Sequence, residues 1–206
     1  MRQLLQVYDD AYAGVDLGAI AYDDGVHAKH RLTRYHDFFV ERVHKGERVL
    51  DVGCGKGELA HDLAERSGAT VIAIDASPWM LEFARARFSH PNVTFVQADA
   101  VHYRPEAAVD VAILSNVLEH IESRVELLSA LREGAGARRL LIRVPSRERD
   151  WTVPLKQEVG LPHLSDPEHK LEYDPQLLRD ELAAAGWEMG EPLLNWGEIW
   201  VEASAR

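Results

Sequence analysis

The chain is poor in cysteine, in basic charge and in long apolar runs, and each shortage excludes a class of protein. Among its 206 residues only Cys54 is a cysteine, so no disulfide can form within the chain and a reducing compartment is expected. Lys and Arg number 23 against 34 Asp and Glu, and this net charge of −11 argues against holding a nucleic acid through its phosphates. No apolar run approaches the roughly 18 residues of a membrane span, and the start, MRQLLQVYDD, lacks the apolar segment of a signal peptide. We therefore expect a soluble cytoplasmic protein with no nucleic-acid partner and no membrane partner.

The length suits one domain of ordinary size. We expect residues 1–206 to form a single domain, with an N-terminal helical lid over about 1–45 and a substrate lid loop over about 146–173. Residues 1–26 predict a short helix and a loop, and 27–43 predict one helix with Leu32, Tyr35, Phe39 and Val43 on one face. That helix carries the basic cluster Lys29, His30, Arg31 and Arg34. The cluster is either a solvated face or a set of cations that meets a carboxylate of a cofactor or an anionic substrate.

The stretch 49–57, VLDVGCGKG, joins an apolar strand to a helical pattern through a turn rich in glycine. An acid, Asp51, precedes glycines at every second position, Gly53, Gly55 and Gly57. Glycine has no Cβ and tolerates positive φ, so a ligand can lie against such a turn. The start of the following helix offers free N–H groups to an anionic ligand group. The G-x-G-x-G spacing differs from the G-x-G-x-x-G fingerprint of dinucleotide-binding domains, and an ordinary strand–turn–helix connection is the alternative.

Two more acids stand where the next strands are expected to end. The run TVIAID ends in Asp75, about twenty residues beyond the glycines, where a carboxylate can accept hydrogen bonds from a ribose diol. The run VTFVQAD ends in Asp99. Either carboxylate could instead cap the helix that follows it. A domain that binds NAD would share the glycines and Asp75 but would not need the G-x-G-x-G spacing.

An acid before a G-x-G-x-G loop, followed by acids at two consecutive strand ends, resembles the class I S-adenosylmethionine-dependent methyltransferases over roughly residues 30–206. The resemblance implies a Rossmann-like α/β fold, with a seven-stranded, mostly parallel sheet and helices on both faces, and S-adenosyl-L-methionine as the cofactor. It also implies that Asp99 binds the amino group of adenine while Ala100 packs beside the ring. The expected cofactor-binding residues are Asp51, Gly53, Gly55, Gly57, Asp75, Ala76, Asp99, Ala100 and Ser115.

The segment VDVAILSNVLEHI predicts a fourth strand that runs from Val109 into a loop at Ser115. Strand ends of an open parallel sheet face the ligand crevice, so Ser115, Asn116, Glu119 and His120 should lie where the methyl group leaves. The sequence SNVL has no proline, which separates it from the enzymes that methylate amino groups of nucleic acids. Methylation of pyrimidine C5 needs a nucleophilic cysteine, and Cys54 is expected only to pack within the glycine loop. We expect Glu119 and His120 to be catalytic, with His120 as the base or as a metal ligand.

A subset of the resembled class suggests a divalent metal, Mg or Mn. The ubiquinone-pathway O-methyltransferases and the small-RNA 2′-O-methyltransferases carry E-x-x-E-H at this place and hold a metal with it. Here Glu119 and His120 match the last two positions, while Asn116 replaces the first Glu and offers a carbonyl oxygen to a hard cation. The small-RNA enzymes also have a distant histidine, which implies a third ligand from the lid of this chain.

Residues 146–173 contain three prolines and no sustained periodicity, which predicts a long loop over the strand ends. Within it DPEHKLE places Asp166, His169 and Glu172 at intervals of three residues, on one face if the segment forms a helical turn. A solvated charged turn is one interpretation. The other is that His169, or His163, reaches the fourth strand and binds a metal together with Glu119 and His120.

The C-terminal part predicts a helix capped by Asp174 and opened by Pro175, and then a pair of strands in EPLLNWGEIWVEA. Trp196 and Trp200 in that pair are expected in the core, with stacking on a sugar as the alternative. The segments ERDW, PLKQEVG, DPEHKLEY and WGEIW also resemble a group of bacterial sugar O-methyltransferases.

Three functions stay open on the sequence alone. The first is metal-assisted O-methylation of a sugar or another small polyhydroxy metabolite. The second is metal-independent N- or O-methylation of a small molecule, and the third is a cofactor-binding subunit that catalyses nothing. The expected partner is a small molecule, with carbohydrate as the favoured class, and a homodimer is left open.

Overall fold

The structure, a computed structural model, describes residues 1–23 and 27–206, and the bounds below refer to these ranges. The strands are β1 (Arg48–Val52), β2 (Thr70–Asp75), β3 (Val93–Gln97), β4 (Val111–Ser115), β5 (Arg139–Pro145), β6 (Trp187–Met189), β7 (Leu193–Asn195) and β8 (Glu198–Ala205). The helices are α1 (Arg2–Tyr22), α2 (Lys29–Thr33), α3 (His36–Val40), α4 (Glu58–Ser67), α5 (Pro78–Arg87), α6 (Arg124–Glu133), α7 (Thr152–Glu158) and α8 (Pro175–Ala184). A 3₁₀ turn covers Leu118–His120.

The strands form one sheet in the spatial order β3-β2-β1-β4-β5-β8-β6, with β7 paired to β8. Strands β1 to β5 are parallel, and β8 runs antiparallel to β5, β6 and β7. The central strands β1, β4 and β5 are buried on both faces, which is why their sequences are apolar throughout rather than alternating. The predicted Rossmann-like fold is confirmed, and the short strand β7 adds one member to the seven that were expected.

Helices cover both faces of this sheet, and each face has its own core. One core packs α6 and α8 on the strands, through residues such as Leu128 and Leu182. The other packs α3 and α4 on the opposite face, through Phe39 and Leu63. The helices thereby leave the carboxyl ends of the parallel strands as the place where loops can gather around a ligand.

The N-terminal part differs from the sequence prediction. Residues 2–22 form one helix of 21 residues instead of a short helix and a loop, and the end of that prediction, 24–26, lies outside the described residues. The single helix predicted over 27–43 is divided into α2 and α3 by Arg34, whose φ of 50° is left-handed and ends α2. Because of this break, Leu32 is 68% exposed and leaves the predicted common face, while Tyr35, Phe39 and Val43 are buried in one core.

Of the predictions for the helix caps, the lid segment 146–173 and the C-terminal hairpin, some are confirmed and others are wrong. Ser77 and Asp174 do cap α5 and α8, since each side chain accepts a hydrogen bond from a backbone N–H of the first turn. The lid segment 146–173 includes helix α7, and no helical turn covers Asp166–Glu172. In the terminal hairpin Trp200 is buried as expected, but Trp196 is 67% exposed because it occupies the turn between β7 and β8. None of the described helices combines the length and the apolar character that crossing a membrane requires.

Candidate active site

The loop after β1 brings bare backbone to the carboxyl edge of the sheet. Gly53, Gly55 and Gly57 all have positive φ, between 53° and 83°. A Cβ on Gly57 would lie 2.8 Å from the Phe95 ring, so no other residue fits there without displacement. A Cβ on Gly55 would meet no atom within 4 Å, so this glycine faces open space in which a ligand can lie.

Asp75, at the end of β2, holds that loop in place. One carboxylate oxygen accepts a hydrogen bond from the Gly55 N–H at 2.9 Å, and the other accepts one from the Ser77 N–H at 2.8 Å. The carboxylate therefore joins the glycine loop to the start of α5. Each oxygen has a second lone pair, which leaves acceptor capacity for a ligand hydroxyl. Ala76 follows directly, and its carbonyl accepts a hydrogen bond from the Gln97 side chain at 3.3 Å.

Asp51 is buried beneath the loop with an unsatisfied oxygen. Its Oδ2 has no hydrogen-bond partner among the described residues. Burial, and to a smaller extent the charge of Asp75, raises the pKa of Asp51 to about 7. A buried carboxylate oxygen without a partner is costly, and a cationic group of a ligand would satisfy it. Cys54 beside it is partly buried, and burial raises the pKa of its thiol well above the ordinary value, which fits a packing role.

Asp99 and Ala100 lie after the end of β3, in an exposed turn. The Asp99 Oδ1 accepts hydrogen bonds from the N–H groups of Val101 and His102 and contacts the His102 ring at 2.8 Å. The hydrogen bond with the His102 side chain is the main cause that lowers the pKa of Asp99. Asp99 thus holds a turn and not the helix of the alternative interpretation, since the described residues between β3 and β4 contain no helix, and the proposed contact of Asp99 with adenine stays a prediction.

Beyond β4 the chain turns sharply and buries an acid. Asn116 has a φ of 56°, and its side-chain Oδ1 is buried without a partner among the described residues. The 3₁₀ turn that follows places Glu119 at 0% exposure, and neither of its carboxylate oxygens has a hydrogen-bond partner there. Burial raises the pKa of Glu119 to about 8. Both carboxylate oxygens of this buried side chain are therefore available as acceptors for a ligand.

The structure brings Glu119, His120 and His169 together, as the sequence predicted. Each offers one ligand atom, and these atoms all lie within 4.8 Å of one another. The rings of His120 and His169 meet edge to face with their centroids 4.7 Å apart. Burial, and secondarily the proximity of His120, lowers the pKa of His169, which favours the neutral imidazole that a metal requires.

Backbone and ion-pair contacts hold the lid over β4. The Lys170 N–H donates a hydrogen bond to the Glu119 carbonyl at 2.7 Å, which places His169 next to the 3₁₀ turn. Glu172 is only 4% exposed, pairs with the Arg149 guanidinium and accepts a hydrogen bond from the Ser165 N–H. The helical turn predicted for Asp166, His169 and Glu172 is absent from this described segment, but Glu172 turns inward and still lies 3.5 Å from the His169 ring. Arg149 also donates to the carbonyl of His163, so the backbone of His163 belongs to the same frame.

Several polar groups near Ser115 carry no signal in the sequence. Arg143 on β5 is 5% exposed, and its guanidinium donates two hydrogen bonds to Glu198, at 2.6 and 2.5 Å. It also lies 3.9 Å above the Tyr35 ring and 3.4 Å from the Ser115 hydroxyl. The sequence around Arg143 contains no motif that would single out this arginine. Only the pairing of β5 with β4 and β8 brings Arg143, Ser115 and Glu198 together.

The basic cluster of the N-terminal lid divides between solvent and site. Arg31 pairs with Asp23 and Arg34 pairs with Asp37, both on the outside, which fits the solvated interpretation for these residues. His30 alone turns inward, where its ring contacts the Tyr35 hydroxyl at 3.3 Å. Burial, followed by the nearby charge of His36, lowers the pKa of His30 to about 4.

A small cleft opens beside the glycine loop. Its volume is about 90 Å³, and it is lined by Tyr35, His36, Asp51, Gly53, Cys54, Glu58, Leu59 and Ser115. The cleft thus lies between the N-terminal lid on one side and the ends of β1 and β4 on the other. A larger groove of about 490 Å³ lies elsewhere, between α3 and strands β6 to β8, and it includes none of the predicted site residues.

Comparisons with known proteins agree with this arrangement. Residues 49–135 match a family model described as a methyltransferase domain. A mitochondrial ubiquinone biosynthesis O-methyltransferase of Schizosaccharomyces pombe is 36% identical over 109 residues, which cover 50% of this chain and 39% of the relative. A trans-aconitate 2-methyltransferase of Rhodopseudomonas palustris is 31% identical over 161 residues, or 74% of this chain and 59% of the relative. The chain thus spans less than two thirds of the length of these curated relatives.

A solved structure extends the likeness to the whole fold. The magnesium protoporphyrin IX methyltransferase of Synechocystis PCC 6803, solved with bound S-adenosylhomocysteine, superposes with a TM-score of 0.70 over 100% of both chains at 19% identity. The matched domain contains the glycine loop, the strand-end acids and the Glu119–His120 turn. Residues 49–135 thus match a methyltransferase domain by sequence, and the whole chain has the Rossmann-like α/β fold of a solved methyltransferase.

Proposed function

We propose that this chain methylates a hydroxyl oxygen of a small polyhydroxy molecule, with a sugar as the favoured class, and that a divalent metal ion assists the reaction. The observation that carries the proposal is the convergence of Glu119, His120 and His169 within 4.8 Å, at the end of the strand that also presents Ser115. Two of these residues are adjacent in the sequence and the third comes from the lid. The fold itself does not need a cluster of one carboxylate and two imidazoles at this place, so we assign the cluster to function.

The cofactor side uses the groups that surround the glycine loop. Asp75 is proposed to accept hydrogen bonds from the ribose hydroxyls through its remaining lone pairs, and Asp51 to lie near the amino-acid end of the cofactor. Ala76 and Ala100 would flank the adenine. Bound S-adenosylmethionine supplies an electrophilic methyl group, and the protein contributes mainly by aligning the acceptor oxygen in line with the leaving sulfur.

On the acceptor side, the residues present suit a divalent cation. Glu119 offers buried oxygens without partners, and two imidazoles stand beside it. Carboxylate with imidazole matches Mn²⁺, Co²⁺ or Zn²⁺ better than Mg²⁺ on softness, although supply in a cell can favour Mg²⁺. A bound cation would lower the pKa of an acceptor hydroxyl that coordinates it. Two neighbouring hydroxyls of the substrate would bind the cation better than one. His120 cannot be both ligand and base, because a metal-bound nitrogen does not take up a proton.

Titration with Mn²⁺ tests the metal site directly. We expect the metal-free protein to bind one Mn²⁺ by calorimetry, and Glu119→Gln and His169→Gln each to weaken that binding by at least tenfold. His163→Gln is the matched control, since His163 lies in the same lid but outside the cluster, and it should bind Mn²⁺ like the unchanged protein. All variants should keep their affinity for S-adenosylhomocysteine. Unchanged Mn²⁺ binding in His169→Gln would remove the lid histidine from the site.

Activity is tested with methyl-labelled S-adenosylmethionine and a panel of sugars and other vicinal diols. We expect transfer of label that stops after exhaustive chelation and returns with added Mn²⁺. Transfer that persists after chelation would contradict metal assistance and favour the second candidate, metal-independent methylation of an acid or amine. The relatives named as trans-aconitate 2-methyltransferases favour that candidate, as does Arg143, whose guanidinium lies 3.4 Å from the Ser115 hydroxyl. Cofactor binding without transfer to any acceptor of either class would fit a subunit that catalyses nothing.

A further inference from the structure

The turn between β7 and β8 holds a tryptophan in a strained backbone conformation. The turn consists of Trp196 and Gly197, with φ of 54° and 75°, and Asn195 pairs with Glu198 across it. A two-residue hairpin turn with two positive φ values favours Asn-Gly, because glycine and asparagine enter the left-handed region with little strain. A bulky residue there is an outlier. The indole is 67% exposed, so its burial does not offset the strain.

This turn lies at the same edge of the sheet as the candidate active site. Strand β8 is antiparallel to β5, so its first residue, Glu198, pairs with Pro145 at the carboxyl end of β5. The Gly197 carbonyl accepts a hydrogen bond at 2.9 Å from the N–H of Ser146, where the lid begins. Trp196 is therefore presented beside the lid, at the edge where the parallel strands end.

Two side chains of the lid connect the turn to the proposed metal cluster. A Cβ on Gly197 would lie 2.9 Å from the Arg149 Cβ, so the turn and the lid are in contact. Arg149 pairs with the buried Glu172, and the Glu172 carboxylate lies 3.5 Å from the His169 ring. An acceptor held at the cluster can therefore extend along the lid toward the indole of Trp196.

The exposed indole and its polar neighbours suit a sugar ring. An indole offers a flat apolar face with one N–H at its rim, and Asn195 and Glu148 are exposed polar residues of the same hairpin and of the lid. A pyranose has apolar C–H groups on its faces and hydroxyls around its rim. An open-chain polyol carries the same hydroxyls but has no fixed face to stack.

A second copy of the chain is a weaker candidate for this patch. The exposed apolar residues of the hairpin are Leu193, Leu194 and Trp196. A stable protein interface buries roughly 800 Å² on each partner, which is more than three side chains supply. The net charge of −11 also opposes association of two copies. The patch therefore has the size of a small-molecule subsite.

We infer that Trp196 binds a pyranose ring of the acceptor by stacking, so that the protein prefers cyclic sugars to open-chain polyols. The inference rests on the proposed methylation of a polyhydroxy molecule and narrows its substrate class. It assigns Trp196 to binding of the acceptor and gives it no part in the transfer of the methyl group. It also explains why a strained turn carries a tryptophan where asparagine would fit better.

Label transfer to two matched acceptors tests the subsite. The acceptors are methyl β-D-glucopyranoside and D-glucitol, given with methyl-labelled S-adenosylmethionine and Mn²⁺. We expect Trp196→Asn to lower kcat/KM for the pyranoside about tenfold, mainly through KM, and to change the value for D-glucitol by no more than about twofold. Trp196→Phe keeps an aromatic face and should stay within about threefold of the unchanged protein for both acceptors. Leu194→Ala is the matched control, since Leu194 is 66% exposed on the same hairpin, and it should change neither value.

The stability of Trp196→Asn separates a binding role from a structural one. Asparagine adopts positive φ more readily than tryptophan, so the urea midpoint of this variant should equal or exceed that of the unchanged protein. A variant that is at least as stable but binds the pyranoside more weakly has lost a contact with the acceptor. A clearly lower midpoint would assign the indole to packing and overturn the inference.

An NMR titration gives a readout that needs no turnover. Methyl β-D-glucopyranoside, added to the protein with S-adenosylhomocysteine and Mg²⁺, should shift the indole N–H signal of Trp196, which the loss of that signal in Trp196→Phe assigns. D-glucitol should leave the signal in place. The indole signal of Trp79 is the internal control, because this residue is 54% exposed on α5, and it should not shift.

Three results would overturn the subsite. They are equal losses for both acceptors in Trp196→Asn, unchanged kinetics in that variant, and a dimer of the unchanged protein that Trp196→Asn dissociates in sedimentation experiments. Failure of the unchanged protein to methylate any polyhydroxy acceptor would overturn the proposed function itself. The two failures are distinguishable, because the second is seen in the unchanged protein and the first only in its variant.

Discussion

The loop after β1 is held by groups of the same βαβ unit, which are close to it in the sequence. The cluster after β4 is completed by the lid instead, since His169 lies 50 residues after Glu119. On the cofactor side, Asp75 joins the loop through backbone N–H groups and needs no side-chain partner. After β4, neither carboxylate oxygen of Glu119 has a hydrogen-bond partner among the described residues, and the ion pair of Arg149 with the buried Glu172 holds the lid. Backbone geometry therefore shapes the loop after β1, whereas the tertiary packing of a separate segment shapes the cluster after β4.

The largest effect should come from breaking the cofactor side at Gly57. Gly57→Ala would put a side chain on a residue with a φ of 83° and a Cβ 2.8 Å from the Phe95 ring. Backbone strain and overpacking together should lower the free energy of unfolding by about 2–5 kcal/mol. Gly46→Ala is the control, since Gly46 has the same φ but would meet no atom within 4 Å, and it should lose only about 1–2 kcal/mol. Urea denaturation of both variants measures the difference. Equal urea midpoints for the two variants would show that the Phe95 ring moves aside and that its close contact with residue 57 does not affect stability.

A middle-sized effect should follow from releasing the lid. Arg149→Ala leaves the buried Glu172 carboxylate without its guanidinium but with the Ser165 N–H donor, which should cost about 1–3 kcal/mol of stability. We expect this cost to appear as faster hydrogen exchange of amides in 146–173 and as lost turnover, while affinity for S-adenosylhomocysteine stays unchanged. The double variant Arg149→Ala/Glu172→Gln removes the stranded charge and should regain part of the protection. A loss of cofactor affinity equal to the loss of turnover would show that the two halves are not separate.

The smallest effect should come from Asp99, where the two interpretations differ most clearly. If the carboxylate binds the adenine amino group, Asp99→Ala should weaken S-adenosylhomocysteine by about tenfold and an analogue without that amino group much less. The turn around Val101 and His102 loses a cap in either case. Calorimetry with both ligands decides between the roles. Equal losses for both would leave Asp99 as a cap alone.

Prediction from the sequence worked where the physical cause is local. The turn at the glycines, the end of β2 at Asp75 and the caps Ser77 and Asp174 depend on backbone conformation over a few residues, and the structure confirms these local features. Prediction failed where packing decides. Nothing in the local pattern ends α2 at Arg34, places Trp196 in a turn or turns Glu172 inward.

The sequence by itself determined the class of fold and the cofactor edge of the sheet, because apolar strand runs, glycines and terminal acids act through short-range sterics and hydrogen bonding. It also indicated which acid and histidines could meet, from a motif next to β4 and a charged turn in the lid. Only the tertiary structure decided that the Glu119 carboxylate is buried without a hydrogen-bond partner among the described residues, that His169 reaches it, and that His36 and Asp51 share a cleft. Those facts depend on desolvation and on contacts between segments far apart in the chain, and neither is written in the spacing of residues along it.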